Sequence, residues 1–272
     1  MPELPEVETT RRGLAPHVVN QRVRTAIVRN RALRLPIPRQ LPQLVAGTTI
    51  RALERRGKYL LFDCGSGTLI VHLGMSGRLW LVEARTPVET HDHFDLVLEN
   101  KRAVRLRDPR RFGLVLWQKK NALEHKLLAG IGPEPLSPAF DGDYLYAATR
   151  ARSAAVKLVL MDSHLVAGVG NIYASEALFR AGINPRVPAQ RIGRSRYAVL
   201  AGKIRETLEA AIQAGGSTLR DYVGGDGRAG YFQNEHLVYG RGGEPCFTCG
   251  GTIRELRQGQ RSTFYCASCQ RR

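Results

Sequence analysis

Four cysteines near the C-terminus restrict this chain more than any other feature. Cys246-x2-Cys249 is followed, after sixteen residues, by Cys266-x2-Cys269. Two pairs at this separation present four thiolates to one ion as a closed tetrahedron. The spacing predicts one structural Zn2+, with no open position for a substrate. Between the pairs the sequence predicts a β-hairpin: Thr252–Arg257, a turn at Gln258-Gly259-Gln260, then Arg261–Tyr265. The fifth cysteine, Cys64, ends the apolar run from Tyr59 and reads as a small buried hydrophobe. This usage fits a reducing, cytoplasmic compartment. A zinc hairpin alone does not specify a function.

Charge narrows the partner. Lys and Arg number 41 against 24 Asp and Glu, a formal net charge of +17, and both halves of the chain carry the excess. A basic surface of this extent is the footprint of a polyanion, and nucleic acid is the expected one. No apolar run reaches the length of a spanning helix, and the N-terminus lacks the layout of a signal peptide. No membrane partner is expected, and nothing reads as an oligomer interface, so a monomer is expected.

The first half alternates short apolar bursts with turn residues. Val23–Arg29, Lys58–Asp63, Thr68–His72, Arg78–Glu83, Phe94–Leu98, Ala103–Leu106 and Leu114–Gln118 read as strands, with a hairpin turn at Glu99-Asn100-Lys101. Seven short strands predict a β-sandwich, and a flanking helix is expected over Pro5–Leu14. The second half reads as helices over Tyr144–Thr149, Ala154–Met161, Ile172–Ala181 and Arg194–Ala214, with a further candidate at Thr218–Tyr222. Gly and Pro cluster at Gly130–Pro135, which places a boundary there. The fold class expected is α+β. Its parts are an N-terminal sandwich over 1–132, a helical domain over 133–235 and a zinc finger over 236–272. Gly224–Gly230 reads as a flexible lid.

Pro2 carries the sharpest chemical signal. If Met1 is removed, Pro2 becomes an N-terminal secondary amine. An α-amino group has a pKa of roughly 7.7–8, so much of it is unprotonated at neutral pH. Such an amine attacks an electrophilic carbon and holds the product as a cationic iminium, an electron sink for elimination. Glu3 and Glu6 stand beside it as proton donors or ammonium partners. If Met1 stays, the Pro2 nitrogen is an amide and cannot react.

Other motifs leave two readings open. Asn171, behind Val169-Gly170, fits a phosphate contact at a helix N-terminus or an ordinary helix cap. Met75, in His72–Gly77, and Arg110 and Phe112, in Arg105–Gly113, fit loop-tip wedges that fill the hole left by a flipped base. Core packing and solvated arginines fit them too. Lys58, after Gly57, suits an acid or a phosphate contact. His91, in His91-Asp92-His93, suits a phosphate contact better than a metal. Arg261, beside the hairpin turn, could reach a groove or a phosphate, or be a solvated charge.

These pieces occur together in one family. The chain resembles bacterial formamidopyrimidine-DNA glycosylases from Pro2 to Gln270. The resemblance rests on Pro2–Glu8, Gly57–Leu60, His72–Gly77, Asp108–Gly113, Gly168–Glu176 and the zinc hairpin. It implies a helix–two-turn–helix module in the helical domain and a double-stranded DNA partner containing oxidised purines or abasic sites. It implies excision of 8-oxoguanine and formamidopyrimidines, then strand cleavage by β,δ-elimination. By that likeness Pro2 attacks the sugar C1′ and Glu3 is the acid. Lys58 assists β-elimination, and Arg261 contacts a phosphate and assists δ-elimination. His91, Arg110, Arg152 and Asn171 map to DNA contacts, and Lys157 maps near the phosphate or lesion. Met75, Arg110 and Phe112 map to the trio that probes the opposite cytosine. Residues 217–230 map to a loop over the extruded base, where Ala229 replaces an expected proline. Two rivals remain at this point: an endonuclease VIII-like enzyme for oxidised pyrimidines, and a silent binder of damaged DNA. A zinc-ribbon adaptor would leave the N-terminal half unexplained.

Overall fold

The computed structural model describes residues 1–119, 121–217 and 232–271. Two compact units emerge. The first holds residues 1–130 and the described residues 214–217; the second holds 131–213 and 232–271.

The first unit begins with helix α1 (Leu4–Val18), strand β1 (Val23–Val28) and the short helix α2 (Leu41–Val45). Strands β2 (Ala52–Arg56), β3 (Tyr59–Asp63), β4 (Thr68–His72), β5 (Arg78–Glu83), β6 (Asp92–Leu98), β7 (Arg102–Arg107) and β8 (Leu114–Gln118) follow. They form two antiparallel four-stranded sheets, β1-β6-β7-β5 and β2-β3-β4-β8. Alternate residues meet in one core: Phe94, Leu96, Val104 and Leu106 from one sheet, Leu60, Phe62, Leu69, Val71 and Val115 from the other. Val7, Leu14 and Val18 of α1 join it. Inward alternation from two facing sheets makes a sandwich. Eight strands build it, and β2 is the one that the pattern of the sequence did not reveal.

The second unit contains α3 (Gly142–Thr149), α4 (Val156–Leu160), α5 (Asn171–Arg180), α6 (Arg194–Gln213) and the hairpin β9 (Ile253–Gln258) and β10 (Arg261–Cys266). Buried Leu200, Ile204, Leu208 and Ile212 recur along one face of α6, at the spacing of a helix stripe. The hairpin turn is Gly259-Gln260, both at positive φ (51° and 62°), the geometry two-residue hairpins favour. The helices and the hairpin cluster as one unit. Thr218–Tyr222 and the whole of the expected lid, Gly224–Gly230 with Ala229, lie outside the described residues. Among the described residues no helix is long and apolar enough to cross a membrane.

Candidate active site and nucleic-acid interface

In the first unit, the N-terminus of α1 assembles the chemical group. Glu3 is the N-cap residue, in extended conformation, and a proline occupies the first turn, where its fixed φ suits a helix start. Pro2, Glu3 and Glu6 are all buried. The Glu6 carboxylate accepts the Glu3 N–H at 2.8 Å through Oε2 and the Ser217 N–H at 2.8 Å through Oε1. Gly216, at φ +84°, leaves room for this: a Cβ there would lie 3.1 Å from Glu6 Oε1. Next along the helix, Glu8 clamps α1 to β2. Its carboxylate takes Arg11 and Arg12 at 2.8 Å and Arg55 at 3.1 Å. Burial alone would raise its pKa, but those arginine hydrogen bonds and charges bring it down to about 2.

Lys58 ends the two-residue turn Gly57-Lys58 that joins β2 to β3, with Gly57 at φ 56°. Its charge is felt at His72. Burial first, then the positive charges of Lys58 and Arg34, push the His72 imidazole down to about 4. His72 is therefore neutral at pH 7, and its Nδ1 accepts the Gly74 N–H at 3.0 Å.

That bond opens the β4–β5 loop, which carries Met75. Met75 and Phe112 are 37% and 42% exposed, so neither is a core residue. The Arg110 guanidinium lies 4.9 Å from the Phe112 ring centroid, a cation–π stack. The two loops touch through backbone. A Cβ on Gly74 (φ +65°) would come within 2.5 Å of Phe112 C and Gly113 N. Nearby, His91 has φ 75° and is exposed. It precedes the irregular β6 pairing at Asp92–Phe94, and a bulge is a device for re-aiming a side chain. Asp92 is pinned by Arg107 at 2.7 Å.

In the second unit, Gly170 caps α5 and Asn171 starts it. The Asn171 amide nitrogen donates to Ser262 O at 3.1 Å, and its Oδ1 is buried without a partner; the cap reading is not what forms. Arg261 is exposed at the first residue of β10, beside that carbonyl. Lys157 is placed differently from the other candidates. It is fully buried on α4, and its ammonium donates to Ser262 O at 2.9 Å and Thr263 Oγ1 at 2.6 Å. It supports the hairpin from beneath and offers no charge to the surface. Arg152 is half-exposed and pairs with Asp162 at 3.5 Å.

The four cysteine sulfurs lie within 4.8 Å of one another. The cross-pair distances are 3.5 Å for Cys249–Cys266 and 3.9 Å for Cys246–Cys269. Ligands at roughly 2.3 Å around a tetrahedral Zn2+ would stand about 3.8 Å apart, so the quartet fits one such ion. Both knuckles close alike: Gly250 N–H on Cys246 O at 2.8 Å, Gln270 N–H on Cys266 O at 3.0 Å. Burial and the neighbouring thiols push Cys269 up to about 12, a crowding that a divalent cation relieves. This is the one group of metal-ligating side chains among the described residues, and His91 and His93 are not part of it. Cys64 is buried, as expected.

Three supporting carboxyl groups carried no recognisable signal of their role. Asp108 opens a basic loop, is fully buried, and accepts from Ser76 and Gly113. Glu6 reads as a proton donor and acts as a backbone acceptor. Glu176, fully buried in α5, accepts the N–H groups of Leu237, Val238 and Tyr239 at 2.8–3.0 Å.

Three family models match in order. The formamidopyrimidine-DNA glycosylase N-terminal domain covers residues 1–115, its H2TH domain 131–223, and the zinc finger found in FPG and IleRS 243–272. The chain belongs to the formamidopyrimidine-DNA glycosylase family. Enzymes of this family are base-excision repair glycosylases acting on damaged DNA, with AP lyase activity as a family property. The relative of that name from Stutzerimonas stutzeri is 60% identical over 100% of both chains, and that from Pseudomonas aeruginosa 58%. The Thermus thermophilus MutM (Fpg) crystal structure matches at 40% identity and TM-score 0.89, covering 99% of this chain and 98% of that one. Lactococcus lactis Fpg in complex with DNA containing an abasic site matches at 35% identity and TM-score 0.91, covering 99% and 100%. The zinc-ribbon adaptor is excluded, because the N-terminal match leaves no unexplained half.

Proposed function

We propose that this glycosylase excises oxidised purines from duplex DNA with Pro2 as nucleophile and then cuts the abasic strand. The observation that carries the reading is the buried Pro2–Glu3 pair at the N-terminus of α1, held by the Glu6 carboxylate. The Pro2 nitrogen, freed by loss of Met1, bonds to C1′ as the glycosidic bond breaks; the base leaves with the electron pair and takes up the proton that the Pro2 nitrogen sheds. Glu3 protonates the sugar ring oxygen as the ring opens to the iminium. Loss of a C2′ proton then expels the 3′ phosphate, and a second elimination expels the 5′ phosphate. Lys58 assists the first elimination. Arg261 holds a phosphate and assists the second. The helix dipole and the basic surface favour the polyanion.

DNA recognition is divided between the units. Met75, Arg110 and Phe112 enter the stack vacated by the flipped nucleotide, which offsets an extrusion cost of a few kcal/mol. His91, Asn171 and Arg152 contact phosphates, and Lys157 contributes by holding Ser262 beside Arg261. The zinc would be held by Cys246, Cys249, Cys266 and Cys269 and supplies rigidity to the hairpin.

A substrate panel tests the lesion class. Duplexes carrying 8-oxoguanine opposite cytosine are expected to be cut far faster than duplexes carrying thymine glycol opposite adenine. The reverse order would assign the chain to oxidised pyrimidines.

A further inference from the structure

We infer that Asp108 is the positioning residue that locks Met75, Arg110, Phe112 and His91 into one block and so sets how strictly the opposite base is read. The inference rests on the reading that the Met75–Arg110–Phe112 trio enters the duplex.

Asp108 ends the β7 side of a loop and is fully buried. Both of its carboxyl oxygens accept hydrogen bonds, each from a different loop. Oδ1 takes the Ser76 hydroxyl at 2.8 Å, and Oδ2 takes the Gly113 N–H at 2.7 Å. Its backbone is used as fully. Its N–H donates to His91 O at 3.1 Å, and its carbonyl meets the Arg111 N–H at 3.1 Å and His93 Nε2 at 3.0 Å. Ser76 relays the lock: its Oγ accepts the Arg110 N–H at 3.2 Å.

Each probing side chain is thus within one residue of an atom in this network. Met75 precedes Ser76, Phe112 precedes Gly113, Arg110 is bonded through its own N–H, and His91 through its carbonyl. The glycines leave little slack. A Cβ on Gly113 would stand 2.9 Å from His72 O and 3.0 Å from Asp108 Oδ2. The tips stay exposed while their roots share one buried group. A side chain that must wedge between bases works only when its backbone cannot yield, and such tolerance comes from locked supporting contacts. Freeing the roots lets the trio settle against either opposite base, so discrimination falls before chemistry does.

The test uses the full zinc-loaded chain with Met1 removed. Excision of 8-oxoguanine opposite cytosine and opposite adenine is measured for wild type, Asp108→Asn, Ser76→Ala, Met75→Ala and Phe112→Ala. Borohydride trapping on a single-stranded oligonucleotide with an abasic site, which has no opposite base, is the control. Asn offers one acceptor oxygen where Asp offers two: the Gly113 N–H keeps it only if the Asn NH2 turns to Ser76, which must then accept instead of donate, so the lock is weakened with little change in shape. Expected is a cytosine-to-adenine ratio compressed about five- to tenfold in Asp108→Asn and Ser76→Ala, with single-strand trapping within twofold of wild type. If Met75→Ala and Phe112→Ala compress the ratio but Asp108→Asn and Ser76→Ala do not, the lock is refuted and the trio stands. If Met75→Ala and Phe112→Ala leave the ratio unchanged, the trio reading fails, and the inference with it. Should Asp108→Asn not fold, Ser76→Ala, which removes a single hydroxyl, decides the question alone.

Discussion

Glu6 Oε1 accepts the backbone N–H of Ser217 at 2.8 Å, across 211 residues of sequence. Its other oxygen holds the Glu3 N–H. One buried carboxylate therefore fixes both the strand of backbone behind the proposed nucleophile and the residue that precedes the segment 218–231. Glu6→Gln keeps the shape but turns an N–H donor toward one of these donors. A loss of about 1–3 kcal/mol in stability follows from one unsatisfied buried donor. Adduct formation on abasic DNA is expected to slow at least tenfold. Thermal unfolding and trapping rates check both; unchanged trapping would remove Glu6 from the positioning of Pro2.

His72 gives a pH signature. Its folded pKa is depressed to about 4 from an ordinary 6.5. Between those values the unfolded chain binds a proton that the folded chain refuses, so stability falls as pH drops through that window. The slope from this one group is bounded by about 1.4 kcal/mol per pH unit. His72→Asn keeps an acceptor for the Gly74 N–H and removes the titration. Denaturant unfolding between pH 4 and 7 is expected to be flatter for this variant than for wild type. Parallel curves would contradict the assignment.

Lys157 separates support from contact. A surface lysine on a phosphate contributes about 0.9 to the slope of log affinity against log salt. Lys157 is buried on Ser262 O and Thr263 Oγ1, so Lys157→Met is expected to lower stability by about 2 kcal/mol and leave that slope unchanged. Arg261→Ala is expected to reduce it by about one. A reduced slope for Lys157→Met would return the residue to the DNA surface.

Much of this was legible in the chain, for physical reasons that differ by element. β4 stands out because Leu69-Ile70-Val71 is apolar and bounded by glycines. The zinc hairpin is fixed by four thiols whose chemistry tolerates few arrangements. β2 has no strand pattern in the sequence because it is an edge strand of its sheet and buries only Leu53, leaving Glu54-Arg55-Arg56 without alternation. For Met75 and Phe112 the sequence fits core and loop tip alike, because exposure is a tertiary property. Lys157 stood alone in the apolar Val156–Leu160, which hints at a buried amine but not at its partner. The role of Asp108 depends on three loops meeting and has no pattern along the sequence.

The zinc site predicts a divided response. Cys249→Ser is expected to lose the single bound zinc and lower DNA affinity more than tenfold, since structural zinc binding is coupled to folding of its site. Circular dichroism of the sandwich strands is expected to persist. Metal analysis and DNA titration on the same preparation test this, and full affinity without zinc would refute it.

The nucleophile can be identified directly. The direct measurement is borohydride reduction during reaction with a duplex carrying 8-oxoguanine opposite cytosine, followed by mass spectrometry of the N-terminal peptide. A sugar remnant is expected on the Pro2 nitrogen, absent when Met1 is retained and absent in Pro2→Gly chains that keep an N-terminal block. A remnant on Lys58 or any other lysine, with Pro2 unmodified, would contradict it.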